Sequence, residues 1–508
     1  MKRIYYKSEK DCKDHNKYSV NEKEKNTRYN NFNHTIFTAG DVQQFYDKCE
    51  YINEEINNTF LYLFHKFKKC IFVRIKNNKL VSFIPFSKKN FINEWSHLIK
   101  ITNKFSKFSN SRYNKNLDGL MNFINYKSKY KKKTKWLYDI ELWYSNNCLI
   151  RNENPVYEGE SGTLEIYDMI ENLCKHRKIK DVYFFVNKRD FPLLKKNGTE
   201  PYDCIFGDST PLISHNYNDY CKILSMTTSD NFKDVAIPTW DDWCRINSKY
   251  NKFFPRNCKN YNYNFTTNWS DKITKAVFRG ASTGAGTTID TNMRLKISLS
   301  NNKLIDAGIT KWNLRPRLNR VNNETILDVI DNTYLPSLKE FLSPEDQSKY
   351  KYIINIDGHS SAFRLSLEMS MGSVILLVES KYKLWFKDLM KEYIHYIPIK
   401  EDLSDIDQKL EWCINNDEKC RIIAKNSIDF YNKYLLEDSI YDYLENVVNN
   451  IECKQLYPVY NKLDNIILLS ENNNNKCNII NTKLPRQYSY QRAFSEYMKN
   501  FSLENFIK

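Results

Sequence analysis

The chain has 508 residues and a formal net charge of +16. Its length suits two to four domains at ~150 residues each, and its charge favours an anionic partner such as a nucleotide, a nucleic acid or a membrane surface. Its apolar runs fall short of the ~20 residues a bilayer span needs, its N-terminus is charged, its C-terminus has no ER-retention signal, and its thirteen cysteines contain no C-x-x-C pair; the expectation is a cytoplasmic chain with reduced thiols and no structural zinc.

Residues 1–33 read as a mobile polar leader. Between Ala39 and Lys68, apolar residues at helical spacing (Phe45, Cys49, Ile52, Ile56, Phe60) predict one or two amphipathic helices. Two apolar runs then flank Lys76-Asn77-Asn78-Lys79, a hairpin signal with asparagine supplying the turn. Residues 34–136 are therefore expected to form an N-terminal α+β accessory region. It ends in a basic run from Lys127 to Lys135, where lysines interleave with tyrosine. Such a run can track a nucleic-acid backbone, and it equally suits a solvated loop.

From residue 137 to 265 the pattern is that of a first Rossmann-like domain. A helix is predicted over 165–177 and a buried strand over 182–186. That strand runs into Asn187-Lys188-Arg189-Asp190-Phe191-Pro192, a polar loop at a strand's carboxyl end, where catalytic groups sit in α/β folds. Asp190 is read there either as a general base or as a turn residue. An extended stretch from Asp234 leads through Trp240 to Trp243.

A second Rossmann-like domain is expected over 266–451. The strand Lys275–Phe278 ends in Arg279-Gly280-Ala281-Ser282-Thr283-Gly284, and Arg294 opens a helix. This is a plausible phosphate cradle that matches neither G-x-G-x-x-G nor the P-loop. A second strand breaks at Asp357-Gly358, and Phe363-Arg364-Leu365 opens a helix before a third strand, 373–378. In such βαβ units the ligand lies beyond the strand carboxyl ends. Arg364 is placed to grip a diphosphate with its planar fork. Asp405-x-Asp407 looks like a metal-binding pair, but it lies at a predicted helix N-terminus, where acidic residues are favoured as caps; no metal site is assigned. Residues 452–508 are expected to be a tail, with a helix over 488–501, packing back on the first domain.

Together these pieces resemble the family 90 glycosyltransferases, which include fungal capsule-associated transferases and animal protein O-glucosyltransferases. The resembling motifs are Asn187 to Pro192, Asp234 to Trp243, Phe278-Arg279-Gly280 with Thr283 and Arg294, Asp306-Ala307, and Tyr350 through Asp357-Gly358 to Arg364. Trp385-Phe386, His395 to Pro398 and Glu401 to Asp405 follow in the family's order. The resemblance implies a GT-B architecture, two Rossmann-like domains facing a cleft. It also implies inverting transfer of a sugar, glucose or xylose, from a UDP-sugar to a hydroxyl on a protein or glycan, with no cofactor and no metal. Asp190 matches the catalytic base. Arg279, Gly280, Thr283, Arg294, Asp357, Gly358, Phe363 and Arg364 match the nucleotide-sugar site, and Asp234, Trp240 and Trp243 are candidates for the acceptor and donor cleft. Inverting displacement needs a carboxylate at the acceptor hydroxyl and fixed positive charge at the departing diphosphate.

Ala281 stands where animal members have serine, and the loop from Gly284 to Thr291 is longer than theirs, so the donor sugar does not carry over. A cytoplasmic member of AT-biased composition suits a protist or a large virus. Two rival readings remain at this stage: a nucleic-acid-binding protein using Lys127 to Lys135, and a degenerate transferase serving as a scaffold.

Overall fold

The structure, a computed structural model, describes residues 39, 42–67, 69–87, 99–101, 140–145, 148–153, 162–197, 219–246, 265–313, 317–321, 324–328, 330–332 and 335–459. The leader, the Lys127 to Lys135 run and residues 488–501 lie outside them.

Helices α1 (Val42–Cys49) and α2 (Glu54–Tyr62) precede a mixed sheet. Its strands are β1 (Lys69–Lys76), β2 (Lys79–Ser87), β3 (Val182–Asn187), β4 (Ile223–Ser225) and β5 (Val235–Ala236), in the order β2-β1-β3-β4-β5. The β1–β2 turn places Asn77 and Asn78 at φ 50° and 58°, the left-handed pair that a two-residue hairpin requires and asparagine tolerates.

The predicted accessory region is not separate from the first Rossmann-like unit. β1 pairs antiparallel with β3 over six residue pairs. The physical reason is that β3 is buried at every position, so both of its edges and both of its faces need partners. β4 covers one edge in parallel and β1 the other. Residues alternate across this sheet. Ile71, Val73, Phe184 and Val186 face the core shared with α3 (Thr163–His176), while Cys70, Phe72, Tyr183 and Phe185 meet the aromatic cluster of α1 and α2.

The second sheet holds β6 (Ile273–Ala281), β7 (Ile305–Lys311), β8 (Tyr350–Asn355), β9 (Val374–Val378) and β10 (Ile397–Ile399). Its order is β7-β6-β8-β9-β10, with every pairing parallel. Such sheets are covered on both faces, which explains the unbroken apolar runs in β8 and β9. Ile354 and Leu376 face the core beneath helices α7 (Ile406–Asn415) and α8 (Asp417–Tyr434), whereas Ile353 and Ile375 face the core shared with the first unit. All four side chains are at most 1% exposed, and burying each contributes roughly 1.5–3 kcal/mol.

The chain then returns. Helix α9 (Glu437–Asn449) puts Ile440, Tyr441, Leu444 and Val448 into the core beside Ile166, Met169 and Leu173 of α3. Arg177 holds it from outside through Asp442, Nε to Oδ1 at 2.8 Å. Tyr457–Pro458 finally pairs antiparallel with Tyr51–Ile52. This return, expected only from residue 452, begins at residue 437. The fold is thus the α/β, GT-B-like pair of Rossmann-like units that the resemblance implied. No described helix is long and apolar enough to cross a membrane.

Candidate active site

In the second sheet the first strand, β6, lies between the second and the third. Successive connections therefore diverge at β6 and β8, the switch point outside whose carboxyl ends ligands bind. The loops that close it are the ones singled out by sequence: Gly280 to Thr283 after β6, and Asp357 to Arg364 after β8. They approach so closely that a Cβ on Gly358 would sit 3.1 Å from Thr283 Oγ1.

Arg294 staples these loops together. Asn292 caps the helix Met293–Ser298 by accepting from Arg294 N, and this sets the arginine in the first turn. Its Nε donates to Asp357 O at 2.9 Å, Nη2 to Ile356 O at 2.8 Å, and Nη1 to Thr283 Oγ1 at 2.7 Å. Arg279 is likewise committed to protein. Its Nη2 forks onto both oxygens of Asp306 at 2.9 Å, and Nη1 donates to Asp306 O at 2.6 Å. Burial alone would raise the Asp306 carboxyl; hydrogen bonds from Lys339, Tyr350 and Arg279 more than offset it and hold the carboxyl at about 2.

Arg364 differs from both. Its Nη1 donates to Arg279 O at 2.6 Å and its Nε lies 2.7 Å from Glu368 Oε1, while Nη2 has no partner among the described residues. The guanidinium lies 5.3 Å from the centre of the Phe278 ring. Glu368, 1% exposed, also accepts from Asn355 Nδ2 at 2.6 Å. Burial pushes its carboxyl up, and Arg364 pulls the other way. Arg279 Nε and Arg364 Nη2 each lack a partner among the described residues, and of these two side chains Arg364 is the more exposed, 29% against 8%.

Beside this turn a cleft of about 400 Å³ opens beyond the ends of β8, β9 and β10, lined among others by Asp357, Ser361, Ser380, Lys387 and Tyr396. Among the described residues Ser361 Oγ has no hydrogen-bond partner and Asp357 Oδ2 has no well-aligned one, although the Ser380 side chain bears on that carboxyl. Burial raises the Asp357 carboxyl and pushes the Lys387 ammonium down to about 8. Lys387 Nζ stands 4.0 Å from the centre of the Tyr396 ring.

Asp190 lies at the carboxyl end of β3, exposed, on an arch pinned at both feet. Asn187 accepts from Arg189 N at 2.6 Å and donates to Phe191 O at 2.7 Å. Asp234 accepts from Leu193 N and Leu194 N at 2.8 Å and from Ser225 Oγ at 2.6 Å. Burial pushes the Asp234 carboxyl up to about 6. Asp234 is therefore a buried anchor of the arch and does not line a cleft. Trp243 does not line it either: it is 0% exposed, and its Nε1 donates to Asp168 Oδ2 at 2.9 Å in the core. In both cases a position inside a cleft-forming motif says nothing about which way the side chain points.

Trp240 does join the two halves of the site. It starts helix α4 (Trp240–Ile246) and packs edge-to-face on Phe363, ring centres 5.4 Å apart. Lys188 Nζ lies 5.3 Å from the Trp240 ring centre on the Asp190 side. Gly162, at φ 87°, makes room for this ring, because a Cβ there would come within 2.9 Å of it. Lys188, Trp240 and Phe363 thus connect the Asp190 arch to the Arg364 turn.

Sequence reasoning assigned no role to Glu368, Asp242, Ser366 or Trp385. Thr239-x-x-Asp242 before a helix is a reciprocal capping pattern that could have flagged Asp242. Its partners Ser366 and Trp385 are far away in sequence. The predicted Asp405-x-Asp407 pair is split: Asp405 Oδ1 accepts from Lys400 N, and Asp407 Oδ1 accepts from Asn302 Nδ2.

The fold and this site define a GT-B-like α/β protein, with an exposed carboxylate on one Rossmann-like unit and a basic turn at the switch point of the other. The chain belongs to glycosyl transferase family 90, whose sequence profile matches residues 163–462, more than half of it. It is 39% identical to Uncharacterized protein 179R of Invertebrate iridescent virus 6, over 96% of this chain and 50% of that protein. It is 26% identical to Protein O-glucosyltransferase 2 of Danio rerio, over 54% of this chain and 47% of that one. To Protein O-glucosyltransferase 1 of Homo sapiens it is 25% identical, over 54% and 62%. The chain thus spans less than two thirds of each of these relatives. The viral relative agrees with membership of a large virus.

Proposed function

We propose that the chain is an inverting glycosyltransferase that moves glucose or xylose from a UDP-sugar to a hydroxyl on a protein or glycan. The observation that carries this reading is Arg364, a cation at the switch point with an uncommitted Nη2 donor, in a family 90 chain whose exposed Asp190 stands on the facing unit. The relatives named as protein O-glucosyltransferases favour glucose.

In this scheme Asp190 takes the proton of the acceptor hydroxyl as its oxygen attacks the sugar carbon. The bond from that carbon to the diphosphate oxygen breaks, and its electron pair leaves with UDP. Arg364 meets the charge that builds on the diphosphate, where a fixed donor is worth most. Arg294 and Arg279 hold the two loops in place, so little reorganisation accompanies the reaction. The cleft beside the turn receives the nucleoside, with Asp357 Oδ2, Ser361 Oγ and Lys387 Nζ available as polar contacts. The scheme calls on no cofactor.

The test is thermal stability of the purified chain with UDP, ADP, GDP, UDP-glucose and UDP-xylose, followed by an assay for UDP released from the sugar that binds. A ligand specific to the folded state raises Tm as its concentration passes its Kd. Stabilisation by UDP and one UDP-sugar, with UDP release that Asp190→Asn removes, is expected. Equal shifts with all three nucleoside diphosphates, or none, would overturn the reading.

A further inference from the structure

Asp242 is 1% exposed, yet its carboxylate belongs to both units. On its own side it accepts from Thr239 N and from Arg245 Nη2, each at 3.0 Å. From the second unit it accepts Ser366 Oγ at 2.5 Å and Trp385 Nε1 at 3.0 Å. Each oxygen thus takes two donors, which fills the capacity of a carboxylate. A buried ion pair such as Asp242–Arg245 gains little stability over apolar packing of the same volume. That pair lies within the first unit, so the bonds that cross between the units are the ones from Ser366 and Trp385. Ser366 follows Arg364 by two residues, and Trp240, two residues before Asp242, holds Phe363 from the side.

We propose that Asp242 is a positioning residue that clamps the Arg364 turn of the second unit against the first and so sets the Asp190 arch and the diphosphate cation in register. Its effect on turnover rests on the transferase reading above; its effect on how the units are held does not. The clamp acts on the relation between two sites while leaving each site whole. UDP, held by the second unit, should bind almost normally when the clamp is broken, whereas transfer, which needs both units, should not survive intact.

Two full-chain variants test this. Asp242→Asn keeps the shape but turns one oxygen into a donor facing donors. The double variant Ser366→Ala, Trp385→Phe removes the two cross-unit donors while keeping an aromatic ring against Phe386 and Tyr443, and it decides the matter should Asp242→Asn not fold. Three quantities are read: the Kd of UDP by calorimetry, the rate of UDP release from UDP-glucose with water as acceptor, and the radius of gyration by small-angle scattering. The expected result is UDP affinity within about threefold of wild type, a rate lower by ~10- to 100-fold from sub-ångström to ångström misplacement, and a larger radius. Rate and affinity falling together, or neither changing, would overturn the clamp. A wild-type chain that releases no UDP would overturn the transferase reading instead; an unchanged radius in both variants would then overturn the clamp by itself.

Discussion

Replacing Arg364 with alanine separates what the arginine does for a ligand from what it does for the protein. The substitution removes the donor to Arg279 O and the cation in contact with Glu368 Oε1, a carboxylate that is 1% exposed and that Arg294 also favours from further off. Losing a charge-assisted contact to a diphosphate costs ~1.5–3 kcal/mol, or ~10- to 100-fold in the Kd of UDP. Stripping a buried carboxylate of its partner costs ~3–5 kcal/mol when the pair is fully enclosed. Arg364 is 29% exposed, so water replaces part of it and ~1–3 kcal/mol of stability is the expected loss. This second loss carries a pH signature. The Glu368 carboxyl is already raised by burial, and Arg364 works against that rise; without the arginine it rises further. A folded-state carboxyl above its unfolded value binds more protons folded than unfolded, so stability falls as pH rises from the unfolded value through the folded one. The variant should therefore lose Tm more steeply than wild type as pH increases from about 4. Adding Glu368→Gln should restore Tm and flatten that dependence without restoring UDP affinity. Calorimetry with UDP and melting curves at stepped pH read both effects. If the double variant regains UDP affinity, Arg364 acts only through Glu368; if Arg364→Ala binds UDP like wild type, the diphosphate lies elsewhere.

Asp190→Asn should lower UDP release from UDP-glucose by ~100-fold or more while leaving the Kd of UDP unchanged; equal loss of both would rule out a proton-transfer role. Asp234→Asn should cost ~2–4 kcal/mol by spoiling a buried three-donor acceptor, which thermal unfolding will show. The Asp234 carboxyl is pushed up to about 6, so its contribution to stability shrinks as pH rises from about 4 to 6. Asp234→Asn should lack that slope, and an equally steep one would contradict the assignment. Gly358→Ala should weaken UDP binding several-fold with a small fall in Tm, since its new Cβ meets Thr283 Oγ1 at 3.1 Å and must spread the two loops; unchanged affinity would mean that the loops yield freely.

Much of this architecture is legible from local signals. Asn77-Asn78 announces its hairpin through the conformation asparagine tolerates, and the unbroken apolar runs of β8 and β9 announce a sheet covered on both faces. Arg364 could be placed at a strand's carboxyl end because a turn pair and a helix start surround it. What could not be read depends on partners distant along the chain. β1 completes an edge of β3 from more than a hundred residues upstream, so the hairpin looked like a separate region. Asp242 meets Ser366 and Trp385 at separations of 124 and 143 residues. Nor does residue type reveal direction: Asp234 and Asp190 are both acids near strand ends, yet one anchors a loop from inside and the other stands in solvent. Arg279 and Arg294 suit a phosphate in isolation, and only the observed carboxylate and carbonyls show where their donors go.

The return of α9 to the first unit bears on the order in which the protein assembles. All five strands of the second sheet and helix α8 lie between residues 273 and 434, so that unit can close as soon as this stretch has been made. The first unit begins earlier but waits longer, because Ile440, Tyr441, Leu444 and Val448 complete the core around α3 and Tyr457–Pro458 then pairs with Tyr51–Ile52. On the ribosome, the half that starts first is therefore finished last, and until residue 448 emerges the side of the α3 core that α9 closes stays open, a target for chaperones or for other chains.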